Sequence, residues 1–338
     1  MPALRHLILR CLVPQQMLIC SGLSPELLGP LTPCATIEIM SVLSPAEARC
    51  ATQAHQERVR PFVEPFLARR ATQQSHPVQD FLFTYYSHRP AALLRWHPGL
   101  GNELDVTDSS PQQAGWKYYK QQQSRVALDL EGFLSRQLTN LRFHYQLLKK
   151  TSEAAPGFGC FGLHEWAMAY RAEKHGIRHS TVPLRLGADG TNEVVNSHTI
   201  ACTHYDAVRF FAPEAVKLNT VQPTRQAQLD LEQPGCLHAN MDLYRIAYKL
   251  TPLFSSELVM DCFELAWDIR QVDMQASPYD LVDYGYPPIK IETVEGKREY
   301  ARLQRGFTAR AQTLRGQLLV VLEQIPADLG ADFRRLPA

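Results

Sequence analysis

The sequence predicts a predominantly helical α+β protein with a small antiparallel β-sheet. Apolar residues recur at helical spacing over most of the chain, and the alternation typical of strands is concentrated in a hairpin near 181–204. The chain has 338 residues, of which 45% are hydrophobic and 20% are charged. This composition is close to that of ordinary globular proteins and is sufficient for a full core.

Residues 1–39 differ from the rest of the chain. They have few charges, several prolines and glycines, three cysteines and no sustained helical period. A capping box, Ser44-Pro45-Ala46-Glu47, follows with proline at the first helical position. We therefore predict a poorly ordered N-terminal extension over 1–39 and a single α-rich globular domain over 40–330. An irregular arm that packs on this domain is the alternative for 1–39.

The remaining elements follow in order. The first helix runs from Ser44 toward Arg60, where prolines are expected to end it. The polar segment 100–124 is predicted to be a loop, and the hairpin near 181–204 is built around a Gly/Asp turn. A short strand is expected at 289–292. Further helices are predicted at 77–88, 126–150, 160–173, 238–250, 257–271 and 295–324.

The helices near 238–250 and 257–271 each carry a narrow polar stripe. At about 100° per residue, the first stripe contains His238, Asp242, Arg245 and Lys249. The second stripe contains Glu257, Asp261, Glu264 and Asp268. Apolar residues occupy most of each circumference, whereas an ordinary surface helix has a broad polar face. Since a short connection favours antiparallel neighbours, the two stripes could line one polar cavity. The alternative is two solvated edges with surface ion pairs.

The stripes supply the candidate catalytic residues, which are His238, Asp242, Asp261 and Glu264. The candidate ligands of a divalent transition metal are His238 and the pair in His204-Tyr205-Asp206. The candidate substrate-binding residues are Arg245 as an anion anchor, Trp166 and Tyr244. Without a metal, an Asp or Glu would act as a general base on water, with its pKa raised by burial.

Charge and motifs exclude several function classes. Lys and Arg number 35 against 34 Asp and Glu, so the net charge of +1 gives no support to DNA binding. The nucleotide-binding patterns GxxxxGK[ST] and GxGxxG after a strand are both missing. The eight cysteines are scattered without a CxxC pair, which indicates free thiols in the cytoplasm. No apolar run reaches the roughly 20 residues of a membrane span.

Five segments resemble those of a family of bacterial proteins labelled 3-methyladenine DNA glycosylase. They are 80–90, Trp96-His97-Pro98-Gly99, Phe161-Gly162-Leu163-His164-Glu165-Trp166, 233–244 and 273–280. The likeness covers roughly Met40 to Arg310 and assigns no catalytic residues. It implies hydrolysis of an N-glycosidic bond. Ala155-Pro156-Gly157-Phe158-Gly159 loosely matches the turn with which helix-hairpin-helix glycosylases hold a DNA phosphate.

Two functions are consistent with these observations. The first is a hydrolase-like enzyme that has a His/carboxylate site between helices and acts on a small molecule or a nucleobase substrate. The second is a non-catalytic helical protein that binds a ligand or partner and whose stripes are structural buried ion pairs.

Overall fold

The computed structural model describes residues 41–327, 329 and 332–335, and these residues belong to one compact unit. The extension predicted over 1–39 lies outside the described residues. The strands are β1 (Ser41–Leu43), β2 (Asn102–Asp105), β3 (Tyr119–Gln122) and β4 (Arg125–Leu128). The helices up to the middle of the chain are α1 (Pro45–Ala71), α2 (Phe81–Tyr85), α3 (Pro90–Leu93), α4 (Leu130–Glu153), α5 (Leu163–Met168), α6 (Ala172–His175) and α7 (Gly187–Ser197). The remaining helices are α8 (Tyr205–Val208), α9 (Pro213–Val216), α10 (Gln228–Leu231), α11 (Leu237–Lys249), α12 (Ser256–Gln275) and α13 (Val294–Glu323). The predicted class, predominantly helical α+β, is confirmed.

Helix α1 begins at the predicted capping box and ends later than predicted. The Ser44 side chain accepts a hydrogen bond from the Glu47 N–H, and the Glu47 carboxylate accepts one from the Ser44 N–H. The helix continues through its two internal prolines as far as Ala71. Val59 and Val63 are almost fully buried in the core. We infer that this packing outweighs the backbone hydrogen bonds lost at the prolines.

The sheet forms in a different part of the chain from the predicted hairpin. Its strand order is β1-β2-β4-β3, with β1 parallel to β2 and the other pairs antiparallel. The hairpin near 181–204 is wrong, because 187–197 is helix α7 and buries Thr191, Val194 and Val195. Two of the sheet's strands come instead from the predicted loop 100–124. Leu104 of β2 and Val126 of β4 pair and pack in a small apolar cluster. The predicted strand at 289–292 is also not formed.

The long C-terminal helices form the frame that carries the candidate site. Helices α11, α12 and α13 pack against one another, and α4 packs against α13. Their observed bounds lie within a few residues of the predicted ones, with α12 extending to Gln275. Among the described residues, no helix has both the length and the apolar character needed to cross a membrane.

Candidate functional site

Three helices bring His164, His238 and Asp273 together. His164 lies in the first turn of α5, His238 in the first turn of α11 and Asp273 near the end of α12. One ligand atom from each residue lies within 4.8 Å of the other two. His164 and Asp273 are buried, and His238 is partly exposed. The trio therefore brings two imidazoles and one carboxylate together, with His238 as its partly exposed member.

The contact between His164 and Asp273 is short but is not aligned as a hydrogen bond. His164 Nε2 lies 2.8 Å from Asp273 Oδ1. Even so, neither atom has a correctly directed hydrogen-bond partner among the described residues. Two ligand atoms at about 2.1 Å from one ion lie about 3.0 Å apart at an octahedral angle and about 3.4 Å apart at a tetrahedral one, without hydrogen bonding to each other. The arrangement is therefore that of two atoms able to bind one ion.

The remaining polar atoms of these two residues are held by their neighbours. Asp273 Oδ2 accepts a hydrogen bond from Arg270 Nη1 at 3.1 Å, and the same nitrogen donates to Glu165 Oε1 at 2.7 Å. His164 Nδ1 lies 3.7 Å from Cys160 Sγ. Partners of this kind orient metal ligands, because they fix the carboxylate and the imidazole ring in one direction.

The protonation of the trio follows from burial and from its neighbours. Burial opposes protonation of His164, but the Asp273 carboxylate and the Cys160 sulfur raise its pKa well above the usual range. Burial also penalises the charge of Asp273, yet His164, His238 and Arg270 keep its pKa low. Burial, aided by His164, lowers the pKa of His238 well below the usual range. His238 is therefore neutral at pH 7, and the neutral imidazole is the form that binds a metal.

A cavity of about 260 Å³ opens beside the trio. His164 and His238 form part of its wall. The other lining residues with reactive or polar side chains are Cys160, Cys202, Thr203, Gln233, Cys236, Tyr300 and Gln304. Gln304 Nε2 donates to the Gly235 carbonyl at 2.7 Å, while its Oε1 has no partner among the described residues. Gln304 therefore carries a buried amide oxygen that no described neighbour uses.

A second buried group lies next to the trio and contains two of the predicted metal ligands. The His204 ring stacks on the His238 ring at a centroid distance of 5.2 Å. His204 Nδ1 lies 3.2 Å from Glu232 Oε1, and its Nε2 lies 3.6 Å from Asp242 Oδ2. Arg245 donates hydrogen bonds to both Asp206 and Asp242. This guanidinium joins the two carboxylates. The group is therefore an ion-pair network whose positive charge is supplied by Arg245.

Within this network, Asp242 is distinguished from Asp206 by a raised pKa and by a hydrogen bond from Tyr86. Burial raises the pKa of Asp242 despite the opposing charges of Arg245 and His204. Asp242 Oδ1 also accepts a hydrogen bond from the Tyr86 hydroxyl at 3.0 Å.

The predicted metal set of His204, Asp206 and His238 is divided between the two groups. His238 belongs to the trio, and His204 and Asp206 belong to the network.

The acidic stripe of α12 faces a different helix from the one predicted. Arg58 of α1 donates to Asp261 Oδ1 at 2.6 Å and to Glu264 Oε1 at 2.8 Å. Both carboxylates are partly exposed, and neither lines the central cavity. The expectation that the two stripes line one cavity is wrong, because α1 lies against the α12 stripe. Asp261 and Glu264 therefore do not join His238.

The predicted substrate-binding residues have structural contacts. The Trp166 indole N–H donates to the Ala276 carbonyl at 2.8 Å. The Tyr244 hydroxyl lies 2.9 Å from His88 Nδ1. Both rings are fully buried, and neither lines the central cavity. Arg245 donates hydrogen bonds to Asp206 and Asp242, so its anionic partners are carboxylates of the chain itself.

Sequence reasoning missed Cys160, His164 and Asp273 as site residues. The available signal for His164 was its position beside Glu165 at the start of a helix. Asp273 gives no local signal, because its partners lie far away along the chain and only the packing of α12 on α5 unites them.

The turn at Ala155–Gly159 lies between helices, as predicted, but its backbone is used internally. The Gly157 N–H donates to Gln233 Oε1 at 2.7 Å. An added Cβ on Gly235 would lie only 2.4 Å from the Gly157 carbonyl oxygen, so the two segments pack tightly. The donor that a helix-hairpin-helix turn would offer to a DNA phosphate is therefore already occupied at Gly157.

Comparison of the chain with protein-family models, with curated proteins and with solved structures finds no match.

Proposed function

We propose that this chain is a metal-dependent hydrolase whose metal is bound by His164, His238 and Asp273. The observation that carries the proposal is the convergence of their three ligand atoms within 4.8 Å, with His164 Nε2 and Asp273 Oδ1 lacking directed hydrogen bonds. Two histidines and one carboxylate with open positions suit zinc or ferrous iron.

The proposed chemistry is the activation of water. A divalent ion at this site would lower the pKa of a bound water toward neutrality and so supply a hydroxide nucleophile. Arg270 and Glu165 hold the Asp273 carboxylate in place. Neutral His238, which is the partly exposed member of the trio, can offer the lone pair of a ring nitrogen to the ion at the cavity wall.

The substrate is proposed to be small and to contain a nucleobase or an amide. The cavity of about 260 Å³ is near the lower limit for small-molecule sites. The unused Gln304 Oε1 can accept a hydrogen bond from a ring N–H or an amide N–H. The resemblance to proteins labelled 3-methyladenine DNA glycosylase narrows the proposal to hydrolysis of an N-glycosidic bond, as in DNA repair. We propose the cytoplasm as its location, because free thiols line the cavity.

A second candidate is a cysteine hydrolase at the same cavity. It is favoured by a series of contacts that runs from Cys160 through His164 to Asp273. Cys160 Sγ lies 3.7 Å from His164 Nδ1. Hydrogen bonds from the Cys202 thiol and from His164 lower the pKa of Cys160 despite its burial. A thiolate beside an imidazole is an activated nucleophile.

Metal analysis of the purified full-length protein tests the proposal. After supplementation with zinc or ferrous iron and removal of free ions, we expect one equivalent of metal per chain. His238→Ala and Asp273→Asn should lose it, because each removes one ligand. Asp261→Asn is the matched control on the same helix and should retain it, since Asp261 binds Arg58.

The two candidates differ in what inactivates the enzyme. Release of free base from alkylated DNA and from nucleosides provides the activity assay. Activity that is lost on chelation and restored by metal, with Cys160→Ser retaining it, supports the metal-dependent hydrolase. Metal-free protein whose activity is lost in Cys160→Ser supports the cysteine hydrolase. Folded protein that binds no supplied metal and releases no base contradicts both, and favours a non-catalytic binding protein.

A further inference from the structure

A separate cavity of about 730 Å³ lies among α4, α8, α10 and the C-terminal end of α11. It shares no lining residue with the central cavity. Its volume lies in the range that holds small-molecule ligands. Phe143 and Tyr205 supply aromatic surface to its wall, and Asn140 supplies an amide.

The lining of this cavity is strongly cationic. It contains five basic residues, which are Arg136, Arg209, Arg225, Arg245 and Lys249. Asp206 is the acidic residue in the lining, and Arg245 and Arg209 both lie against it. Arg136, Arg225 and Lys249 have no acidic partner within 4.0 Å among the described residues. Three positive charges in one concave surface therefore have no direct ion pair among the described residues.

Two further observations indicate a site built for an anion. Partial burial lowers the pKa of Lys249, and the charges of Arg245 and Arg225 lower it further, while those of Asp242 and Asp206 oppose them. Lys249 therefore lies within electrostatic range of the other two cations. His144 in the same wall is buried, and both its ring nitrogens lack a hydrogen-bond partner in the described part of the chain. A bound anion would relieve the repulsion and accept hydrogen bonds from the unpaired guanidinium and ammonium groups.

We propose that this cavity binds a phosphate-bearing small molecule, with its phosphoryl group against Arg136, Arg225 and Lys249. Phosphate is favoured because guanidinium and ammonium groups are its usual protein partners. A small molecule is favoured over nucleic acid because the charge lies in a concave surface, and the chain as a whole has a net charge of only +1. The aromatic rings of Phe143 and Tyr205 would contact the rest of the molecule. This site is independent of the proposed metal site.

Calorimetric titration with inorganic pyrophosphate tests the proposal on the full chain at constant ionic strength. We expect saturable binding that weakens about tenfold or more in Arg225→Ala and in Lys249→Ala, because each change removes a charged contact. Arg302→Ala is the control, since Arg302 is exposed on α13 and pairs with Glu299. It should bind pyrophosphate as the unmodified protein does.

Two results would overturn the proposal. One is pyrophosphate binding that is absent, or that is equally strong in Arg225→Ala, Lys249→Ala and the control. The other is binding of short duplex DNA that depends on Arg225 and Lys249 while pyrophosphate does not bind, which would assign the cavity to nucleic acid. Arg225 and Lys249 are both exposed, so thermal unfolding of the variants should match that of the unmodified protein. A charge-conserving Arg225→Lys variant should retain part of the affinity.

Discussion

The core of this protein contains buried ionisable side chains, and Arg270 shows the kind of contacts that stabilise such a group. Arg270 is nearly fully buried, donates to Glu165 and Asp273, and lies over the Phe81 ring at 3.9 Å. A charge away from water is tolerated only with such partners. His144 differs, because its two ring nitrogens lack partners among the described residues. Burial, aided by Lys249 and Arg245, lowers its pKa to about 3.

His144 should make the protein sensitive to acid. Its pKa is lower in the folded protein than the usual 6.5, so below pH 6.5 the unfolded chain takes up a proton that the folded chain does not. The contribution of neutral His144 to the free energy of unfolding is therefore fully present above pH 6.5. It falls by about 2 kcal/mol by pH 5. We expect His144→Phe to reduce the loss of stability between these pH values. Urea unfolding at each pH, in buffer without phosphate, measures this.

His175 is a suitable comparison for the His144 variant. It lies nearer the surface, and its Nε2 contacts Glu214 Oε2 at 2.6 Å, so its ring has a partner that the His144 ring lacks. His175→Phe should retain the loss of stability below pH 6.5 that is assigned to His144. Equal slopes for His144→Phe and the unmodified protein would contradict the assignment.

At the scale of elements, α12 connects α1 and the 97–100 segment with the candidate metal site. Its N-terminal part is held by α1 through Arg58 and by the 97–100 segment. The His97 N–H donates to Ser256 Oγ at 2.8 Å, and the Leu100 N–H donates to the Leu253 carbonyl at 2.8 Å. Its C-terminal part carries Asp273 to the candidate metal site. Contacts at the start of this helix therefore contribute to the position of the Asp273 carboxylate near its end.

Gly99 is the residue whose backbone permits this close approach to α12. Its φ is +85°, and an added Cβ would lie 2.8 Å from the Ser255 nitrogen. Gly99→Ala should therefore destabilise the protein by about 1–3 kcal/mol, through backbone strain and the displacement of the α12 start. The free energy of unfolding in urea measures the loss. Gly115→Ala is the matched control, because nothing lies within 4 Å of its added Cβ and its φ is not positive. Equal stabilities of the two variants would refute this explanation.

At the scale of the whole molecule, the proposed metal would connect α5, α11 and α12 through one ion. An ion that binds only the folded chain stabilises it, by about 2.7 kcal/mol when its free concentration is 100 times Kd. We therefore expect chelation to lower the Tm of the full-length protein and added zinc to restore it. His238→Ala should show no response to either treatment. Differential scanning calorimetry measures both, and equal responses of the variant and the unmodified protein would argue against His238 as a ligand.

The sequence by itself predicted the helical class, the start of α1 at its capping box and the positions of α11, α12 and α13 within a few residues. These features depend on capping and on apolar spacing within a few turns, so nearby residues determine them. It also selected His238, which the structure brings beside His164 and Asp273.

Tertiary structure alone decided which helix faces each polar stripe and where the sheet forms. Arg58 binds Asp261 and Glu264 because α1 packs on α12, and nothing in the α12 stripe itself encodes that partner. The strands β2 and β4 are short and partly polar, so they become recognisable only when Leu104 pairs with Val126. The candidate site depends on residues distant in sequence. Their convergence is a consequence of packing, and the local pattern around each residue does not contain it.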